Sequence, residues 1–187
     1  MEYFDIRTAN GALTGQTKER SQVHRDGDTH GTAHIWILRP NKEGSFDLLL
    51  QRRSPAKDSH PNCLDISTAG HLSAGQDFLE AALRELEEEL GIRARPEELH
   101  FVGMHHGIFH GEYSGVPFHD DEISAVYLYT KPVEAHKLTL QTEEVASVTW
   151  MRYEDCLSQV KAHSAEFCIF ADELEMIYPA ACKIMRV

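Results

Sequence analysis

The residues most able to take part in chemistry are four glutamates in the stretch RELEEELG, residues 84–91. Like charges this close on a helix repel each other by roughly a few tenths of a kcal/mol for each neighbouring pair. At about 100° per helical residue, Glu85, Glu88 and Glu89 gather on one stripe, whereas Glu87 points to another side. Carboxylate oxygens are the ligands that Mg²⁺ prefers, and Mg²⁺ in turn bridges to phosphates. From these residues alone, a phosphate-directed metal site and a solvated acidic face are equally good interpretations.

The stretch 77–90 has the period of an amphipathic helix, which would hold the glutamates in place. Asp77 and Glu80 predict a capping box at its start, and Gly91 predicts its C-terminal end. Glu80 and Arg84, four residues apart, are expected to form an ion pair. Apolar residues form the core-facing stripe beside the glutamates: Leu79, Ala82, Leu83, Leu86 and Leu90.

Strand-like runs dominate the rest of the chain, at residues 3–9, 34–39, 47–52, 64–72, 100–109, 123–130 and 145–151. Segments 153–163 and 166–177 are predicted helices, and the turn-rich segment 110–121 is predicted to connect two strands. Strands with a few helices between them favour the α+β class, as an α/β/α sandwich with a mixed β-sheet. We expect one domain over residues 1–187, with the segment 151–187 forming C-terminal helices packed on it.

Composition excludes several classes of function. The chain has 187 residues and a net charge of −12, so a nucleic-acid polymer is not an expected partner. No apolar run approaches the length of a membrane helix, and the first residues lack the features of a secretory signal. We therefore expect a cytoplasmic protein without a membrane partner, whose four widely spaced cysteines are reduced thiols.

Residues 70–92, GHLSAGQDFLEAALRELEEELGI, resemble the Nudix box, G-x5-E-x7-R-E-U-x-E-E-x-G-U, where U is bulky and aliphatic. The matching residues are Gly70, Arg84, Glu85, Leu86, Glu88, Glu89, Gly91 and Ile92. Gln76 departs from the pattern, which has glutamate there, and we expect Gln76 to stabilise the loop rather than to ligate a metal. The resemblance implies the Nudix fold, with Mg²⁺ or Mn²⁺ bound by a loop–helix–loop, and cleavage of a diphosphate linked to another moiety.

The resemblance also implies roles for individual residues. Glu85, Glu88 and Glu89 are the expected metal ligands, joined by Glu122 from the later segment DDEISAVY. Arg84 is expected to orient one of these carboxylates through a charge-assisted hydrogen bond. The expected catalytic set is therefore Glu85, Glu88, Arg84 and Glu122, and the sequence leaves the general base open between Glu85 and Glu122.

The expected partner is a small-molecule diphosphate, such as a nucleoside diphosphate linked to another moiety, and a homodimer is left open. Arg53 and Lys57 precede the box and are expected to hold diphosphate oxygens, with His71 as a further substrate contact. Segment 103–121 is expected to set specificity through its aromatic and histidine side chains: His105, His106, Phe109, His110, Tyr113 and Phe118.

Segments 23–37, 48–62 and 65–75 resemble the Nudix branch that includes isopentenyl-diphosphate isomerase and its hydrolase-like relatives. That branch uses a cysteine just before the box for proton transfer, and Ala69 stands at that position here. Partial equivalents of its metal site are His24, His30, His71, Asp120 and Glu122. Because the box carboxylates are intact and the cysteine is absent, hydrolysis is favoured. An isomerase-like enzyme and a non-catalytic nucleotide-binding module remain the alternatives.

Overall fold

The computed structural model describes residues 2–113 and 115–186 and is built on a mixed β-sheet. The strands are β1 (Tyr3–Arg7), β2 (Leu13–Glu19), β3 (His30–Pro40), β4 (Phe46–Arg53), β5 (Leu64–Asp65), β6 (Thr68–His71), β7 (Leu99–Tyr113), β8 (Val116–Tyr129) and β9 (Val145–Arg152). The helices are α1 (Arg20–Asp26), α2 (Phe78–Leu90), α3 (Tyr153–Lys161) and α4 (Ala171–Met185). Two short 3₁₀ turns, Pro96–Glu98 and Ala135–Lys137, complete the list.

The seven-stranded sheet has the order β5-β4-β3-β8-β7, with β6 paired to β3 and β9 paired to β4. Strands β3 and β8 run parallel, which places His30 opposite Glu122. Strand β6 runs antiparallel to β3, which places His34 opposite Ala69. The predicted mixed sheet is confirmed, and its central strands bring three separate sequence segments to one place.

Side chains alternate between the two faces of β3, as the two-residue period of a strand requires. Ile35 and Ile37 join the core that packs against α2, whereas Trp36 and Leu38 join the core that packs against α3 and α4. Helices therefore cover both faces of the sheet, and the predicted α/β/α sandwich is confirmed. A separate hairpin of β1 and β2 packs beside this sandwich.

Helix α2 has the ends that the sequence predicts. The Asp77 side chain accepts the Glu80 backbone N–H at 2.8 Å, and Glu80 accepts the Asp77 N–H in return. Gly91 ends the helix in the left-handed region, with a φ of 70° that favours glycine. The predicted Glu80–Arg84 ion pair is wrong: in the described part of the chain, Arg84 pairs with Glu85 and Glu88.

Two local predictions are corrected by backbone pairing. Most of the turn-rich segment 110–121 belongs to a β-hairpin, because β7 and β8 pair in register up to Tyr113 and Val116. The helix predicted at 166–177 begins only at Ala171, because the preceding residues pair with Leu64 through backbone hydrogen bonds of 2.7 and 3.0 Å. Strand β2 and helix α1 carried no clear sequence signal. Among the described helices, none is both long enough and apolar enough to cross a bilayer.

Candidate active site

A cavity of about 470 Å³ opens between α2, the central strands and the segment before α4. It is lined by the eight residues expected to act in hydrolysis as catalytic groups, metal ligands or diphosphate contacts: Arg53, Lys57, His71, Arg84, Glu85, Glu88, Glu89 and Glu122. These residues come from the β4 strand and the loop after it, β6, α2 and β8. Their convergence is a structural fact, whereas their individual roles stay predictions.

The α2 carboxylates differ in their exposure to solvent. Glu85 and Glu89 are buried, whereas the Glu88 side chain is 53% exposed at the cavity mouth. Glu87 is equally exposed but pairs with Arg93 on a different side of the helix. Burial raises the pKa of Glu85 to about 7 and the pKa of Glu89 to about 8. Buried carboxylates of this kind gain much from a cation, since desolvation disfavours their uncompensated charge.

Glu89 is held by hydrogen bonds from two neighbouring strands. Thr68 Oγ1 donates to its Oε2 at 2.5 Å, and Gln51 Nε2 donates to the same oxygen at 3.3 Å. The backbone carbonyl of Glu89 accepts a bond from the Gln141 N–H at 3.1 Å. These contacts fix a carboxylate that faces the cavity, and they depend on residues far apart in the sequence.

Gly70 has a steric reason to be glycine. A Cβ atom at this position would lie 1.8 Å from Glu85 Oε1, so the glutamate occupies the space of the missing side chain. Arg84 completes the arrangement: its Nη1 lies 2.8 Å from Glu85 and 2.9 Å from Glu88. Its Nη2 donates to the backbone carbonyl of His71 at 3.0 Å. Arg84 thus ties the acidic helix to β6 and orients two carboxylates.

The two predicted phosphate-binding side chains already have acidic partners. Arg53 Nη1 lies 3.0 Å from Asp65, and its Nη2 donates to the Ser59 carbonyl at 3.0 Å. Lys57 pairs with Glu144, which lies just before β9 and also lines the cavity. Asp65 and Glu144 had no motif to mark them in the sequence. A bound diphosphate would compete with Asp65 and Glu144 for the positively charged side chains of Arg53 and Lys57.

A second group of residues that could ligate a metal adjoins the cavity, which His71 and Asp120 line. His24 from α1, His30 from β3, His71 from β6 and Asp120 from β8 place their ligand atoms within 4.8 Å of one another. Their buried atoms His24 Nε2, His30 Nε2, His71 Nε2 and Asp120 Oδ1 make no hydrogen bond within the described residues. Burial lowers the pKa of His71 to about 4, which keeps its imidazole neutral. Three imidazole nitrogens and a carboxylate oxygen, none of them hydrogen-bonded within the described residues, fit a divalent cation.

Glu122 lies between this histidine group and the interior of the sheet. Its Oε1 is 3.4 Å from His71 Nε2, and its Oε2 is 3.7 Å from His34 Nε2. Burial opposes the charge of Glu122, but His34, His71 and His30 together outweigh burial and hold the pKa of Glu122 well below its usual range. Burial likewise opposes the charge of His34, but the carboxylates of Glu173 and Glu122 raise its pKa well above its usual value. No sequence motif assigned a role to His34 or Glu173.

The predicted specificity segment contributes only in part. Phe109 and Phe118 line the cavity, as expected for side chains that cover a substrate. His106 instead pairs with Asp121, and His110 pairs with His119 across the hairpin. Tyr113 stacks beside Phe109, and His105 is buried against α4. Two further aromatic residues, Phe167 and Phe170, line the cavity from the segment before α4.

Gln76 lies in the loop before α2, where its Oε1 accepts the Ser73 N–H at 3.2 Å. Its side chain does not line the cavity among the described residues. This geometry supports a structural role in the loop.

The sequence also matches a family model. The NUDIX domain model matches residues 28–170, which include both the acidic helix and most of the histidine group. The chain belongs to the Nudix family. It is 43% identical over 158 residues to Nudix hydrolase 3 of Arabidopsis thaliana, covering 82% of this chain but 20% of that protein. It is 36% identical over 154 residues to an uncharacterised Nudix hydrolase of Clostridium acetobutylicum, covering 82% of this chain and 71% of that one.

Solved structures share the Nudix fold. The DR0079 protein of Deinococcus radiodurans superposes with a TM-score of 0.71 at 19% identity, covering 95% of this chain and 99% of that one. The NUDIX domain of Shewanella oneidensis NrtR, solved with ADP-ribose, superposes with a TM-score of 0.55 at 13% identity, covering 82% and 87%. The family match and the named relatives identify this Nudix protein as a hydrolase.

Proposed function

We propose that this Nudix hydrolase cleaves the diphosphate bond of a nucleoside diphosphate linked to another moiety, or of a related organic diphosphate, with Mg²⁺ or Mn²⁺. One observation carries the proposal. Buried Glu85 and Glu89 face the same cavity as Arg53 and Lys57, so carboxylates for a cation and cations for a diphosphate lie on its walls. When bound there, the metal ion neutralises phosphate charge and acidifies an attacking water.

The protein residues have separable roles in this proposal. Glu85, Glu88 and Glu89 hold the metal ion, and Arg84 keeps Glu85 and Glu88 at their present positions. The proton of the attacking water passes to a carboxylate that lines the cavity, either Glu85 or Glu122.

Arg53 and Lys57 receive diphosphate oxygens as their bonds to Asp65 and Glu144 loosen. His71 is a further substrate contact, since it lines the same cavity as Arg53 and Lys57.

The aromatic side of the cavity supports an organic group on the diphosphate. Phe109, Phe118, Phe167 and Phe170 offer ring faces and edges on which a planar or apolar moiety can pack. ADP-ribose bound to the NUDIX domain of NrtR, and the Ap4A substrate named for a C. elegans hydrolase with a TM-score of 0.54, are nucleotide-derived. Nucleotide derivatives are therefore the first compounds to assay.

The test is a substrate panel with Mg²⁺, Mn²⁺ or excess EDTA. It contains nucleoside diphosphate sugars, dinucleotides, nucleoside triphosphates, coenzyme A and prenyl diphosphates, with phosphate release read before and after a coupled phosphatase. We expect turnover that requires the metal ion and is lost in Glu89→Gln. Full activity in EDTA, or full activity of Glu89→Gln, would overturn the proposed metal site. No turnover on any compound would instead favour a non-catalytic nucleotide-binding module.

The histidine group favours a second candidate, an isomerase-like enzyme. His24, His30, His71 and Asp120 form a group suited to a cation, as the isomerase-like branch requires. Proton transfer to carbon lacks a donor, however, because Ala69 occupies the relevant position on β6. Cys168 also lines the cavity, but its hydrogen-bonding to Cys63 and its burial raise its pKa well above the usual value.

Isopentenyl diphosphate distinguishes the two candidates when its products are separated. Hydrolysis without double-bond migration is expected. Formation of dimethylallyl diphosphate at a rate that Glu122→Gln abolishes would establish the isomerase instead.

A further inference from the structure

Glu173 is a buried carboxylate in the first turn of α4, three residues beyond the segment that matches the family model. Glu173 is 1% exposed, so its carboxylate is almost completely removed from water. Removing an unpaired carboxylate from water is unfavourable, and such groups persist only with well-placed partners. The partners of Glu173 therefore indicate what the residue does.

Both carboxylate oxygens of Glu173 are engaged by side chains from the central sheet. Oε1 accepts the indole N–H of Trp36 at 2.8 Å, and Oε2 lies 2.9 Å from His34 Nδ1. His105 Nδ1 approaches the same Oε2 at 3.4 Å. Glu173 thus holds Nδ1 of the His34 ring, whereas Glu122 faces Nε2, and both carboxylates line the cavity.

His34 connects Glu173 to the candidate catalytic site. Its other nitrogen, Nε2, lies 3.7 Å from Glu122 Oε2 and 3.5 Å from Thr32 Oγ1. The imidazole therefore stands between two carboxylates, one from α4 and one from β8. Because the ring is rigid and its Nδ1 is held by Glu173, the direction in which Nε2 points is set by α4.

We propose that Glu173 is a positioning residue, which acts through His34 to hold the Glu122 carboxylate in its productive place. The inference rests on the proposed role of Glu122 and adds a residue from the C-terminal helix to the functional site. It also gives α4 a part in catalysis beyond covering the sheet. Partners that orient a ligand or catalytic group are worth roughly 10- to 100-fold in metal affinity or activity.

The alternative is that Glu173 only anchors α4 to the sheet. Two control variants separate these roles. Trp36→Phe removes the other hydrogen bond to Glu173 and leaves His34 in place, so it tests anchoring. Glu175→Gln changes the same helix at an exposed carboxylate that pairs with Lys161.

The experiment measures kcat and KM on the best panel substrate at saturating Mg²⁺, together with Mn²⁺ affinity by calorimetric titration and melting temperature. We expect Glu173→Gln to lower kcat by about 10- to 100-fold while KM changes by less than about threefold. Mn²⁺ affinity is expected to weaken by about tenfold or more, and Glu173→Asp is expected to recover part of the kcat. Trp36→Phe and Glu175→Gln should keep kcat within about threefold of the unaltered protein.

A double variant tests the route of the effect. If Glu173 acts through His34, adding Glu173→Gln to His34→Gln lowers kcat no further, because both changes break one link. Independent multiplication of the two losses contradicts the proposal, as does a Trp36→Phe loss equal to that of Glu173→Gln. Should Glu173→Gln fail to fold, His34→Gln alone carries the same kcat and Mn²⁺ expectations.

Glu122→Gln separates failure of this inference from failure of the proposed function. Full activity of Glu122→Gln removes the proposed role of Glu122 itself. Inactive Glu122→Gln with fully active Glu173→Gln leaves that role in place and overturns only the positioning by α4.

Discussion

Gly70→Ala tests whether the position of Glu85 limits catalysis. The added Cβ would lie 1.8 Å from Glu85 Oε1, 2.0 Å from its Cδ and 2.5 Å from its Cγ. Real Cβ atoms essentially never approach another heavy atom closer than 3.0 Å, so the carboxylate must retreat by at least about 1.2 Å, the difference between 3.0 and 1.8 Å. The backbone of Gly70 is ordinary β-strand, which alanine also adopts.

A displacement of about 1 Å at a catalytic group lowers a rate by on the order of a hundredfold. We therefore expect kcat of Gly70→Ala to fall by about 100-fold, which corresponds to about 2.7 kcal/mol of transition-state stabilisation. The free energy of unfolding should change by only about 1 kcal/mol, because the end of the Glu85 side chain can swing into the adjoining cavity. Activity and stability should therefore separate in this variant.

The assay compares kcat at saturating Mg²⁺ with the melting temperature. Gly103→Ala is the control, since a Cβ there would make an ordinary 3.7 Å contact with Met176 Sδ. In a Glu85→Gln background, Gly70→Ala should reduce kcat little further, because the displaced group has already lost its function. A folded Gly70→Ala protein with kcat within about threefold of the unaltered enzyme would show that the position of Glu85 does not limit catalysis.

Three further outcomes are expected. Glu88→Gln should lower kcat by about 100-fold or more, whereas Glu87→Gln should change it by less than about threefold. The side chains of Glu88 and Glu87 are 53% and 52% exposed, and each pairs with an arginine. Of the two, only Glu88 lines the cavity. Equal losses in both variants would mean an ordinary acidic surface. In EDTA, the melting temperature should fall as pH rises from about 7 to 9, because folded Glu85 and Glu89, with pKa values of about 7 and 8, release protons that their unfolded forms have already released, whereas His71, with a folded pKa of about 4, is mostly neutral in both states there. Glu89→Gln should flatten that slope, and an unchanged slope would contradict the raised pKa. Asp77→Ala should lower the free energy of unfolding by about 1 kcal/mol through loss of the helix cap, as chemical denaturation would show, and no loss would dismiss the cap as a source of stability.

Local interactions explain why α2 was predictable from the sequence. The capping box, the left-handed Gly91 and the stripe of Glu85, Glu88 and Glu89 depend on residues within four positions of one another along one helix. Even here, the ion pair between Glu80 and Arg84 was wrong, whereas Arg84 does contact two box carboxylates, Glu85 and Glu88, as the resemblance implied. Glu85 lies directly beside the guanidinium, and Glu80 is instead used by the helix cap.

Pairing between distant segments decided the elements that were mispredicted. Segment 110–121 is rich in turn-forming residues, yet residues 110–113 and 116–121 are paired strands of the β7–β8 hairpin. The start of α4 shifts to Ala171 because the residues before it bond to Leu64, about 100 positions earlier. Backbone pairing depends on which segments the fold brings together, so local propensity does not predict it.

Sequence patterns were sufficient to predict the family, the sandwich fold and a set of site residues that all line one cavity. The Nudix box encodes these because its helix and loop are local structures with fixed spacing. The resemblance had already suggested His24, His30, His71 and Asp120 as parts of one metal site, but the tertiary structure was needed to show that their ligand atoms lie within 4.8 Å of one another, since they come from four elements. The tertiary structure also decided that Glu173 reaches His34 from 139 positions away, because a buried charge is placed by packing between layers rather than by its neighbours in the chain.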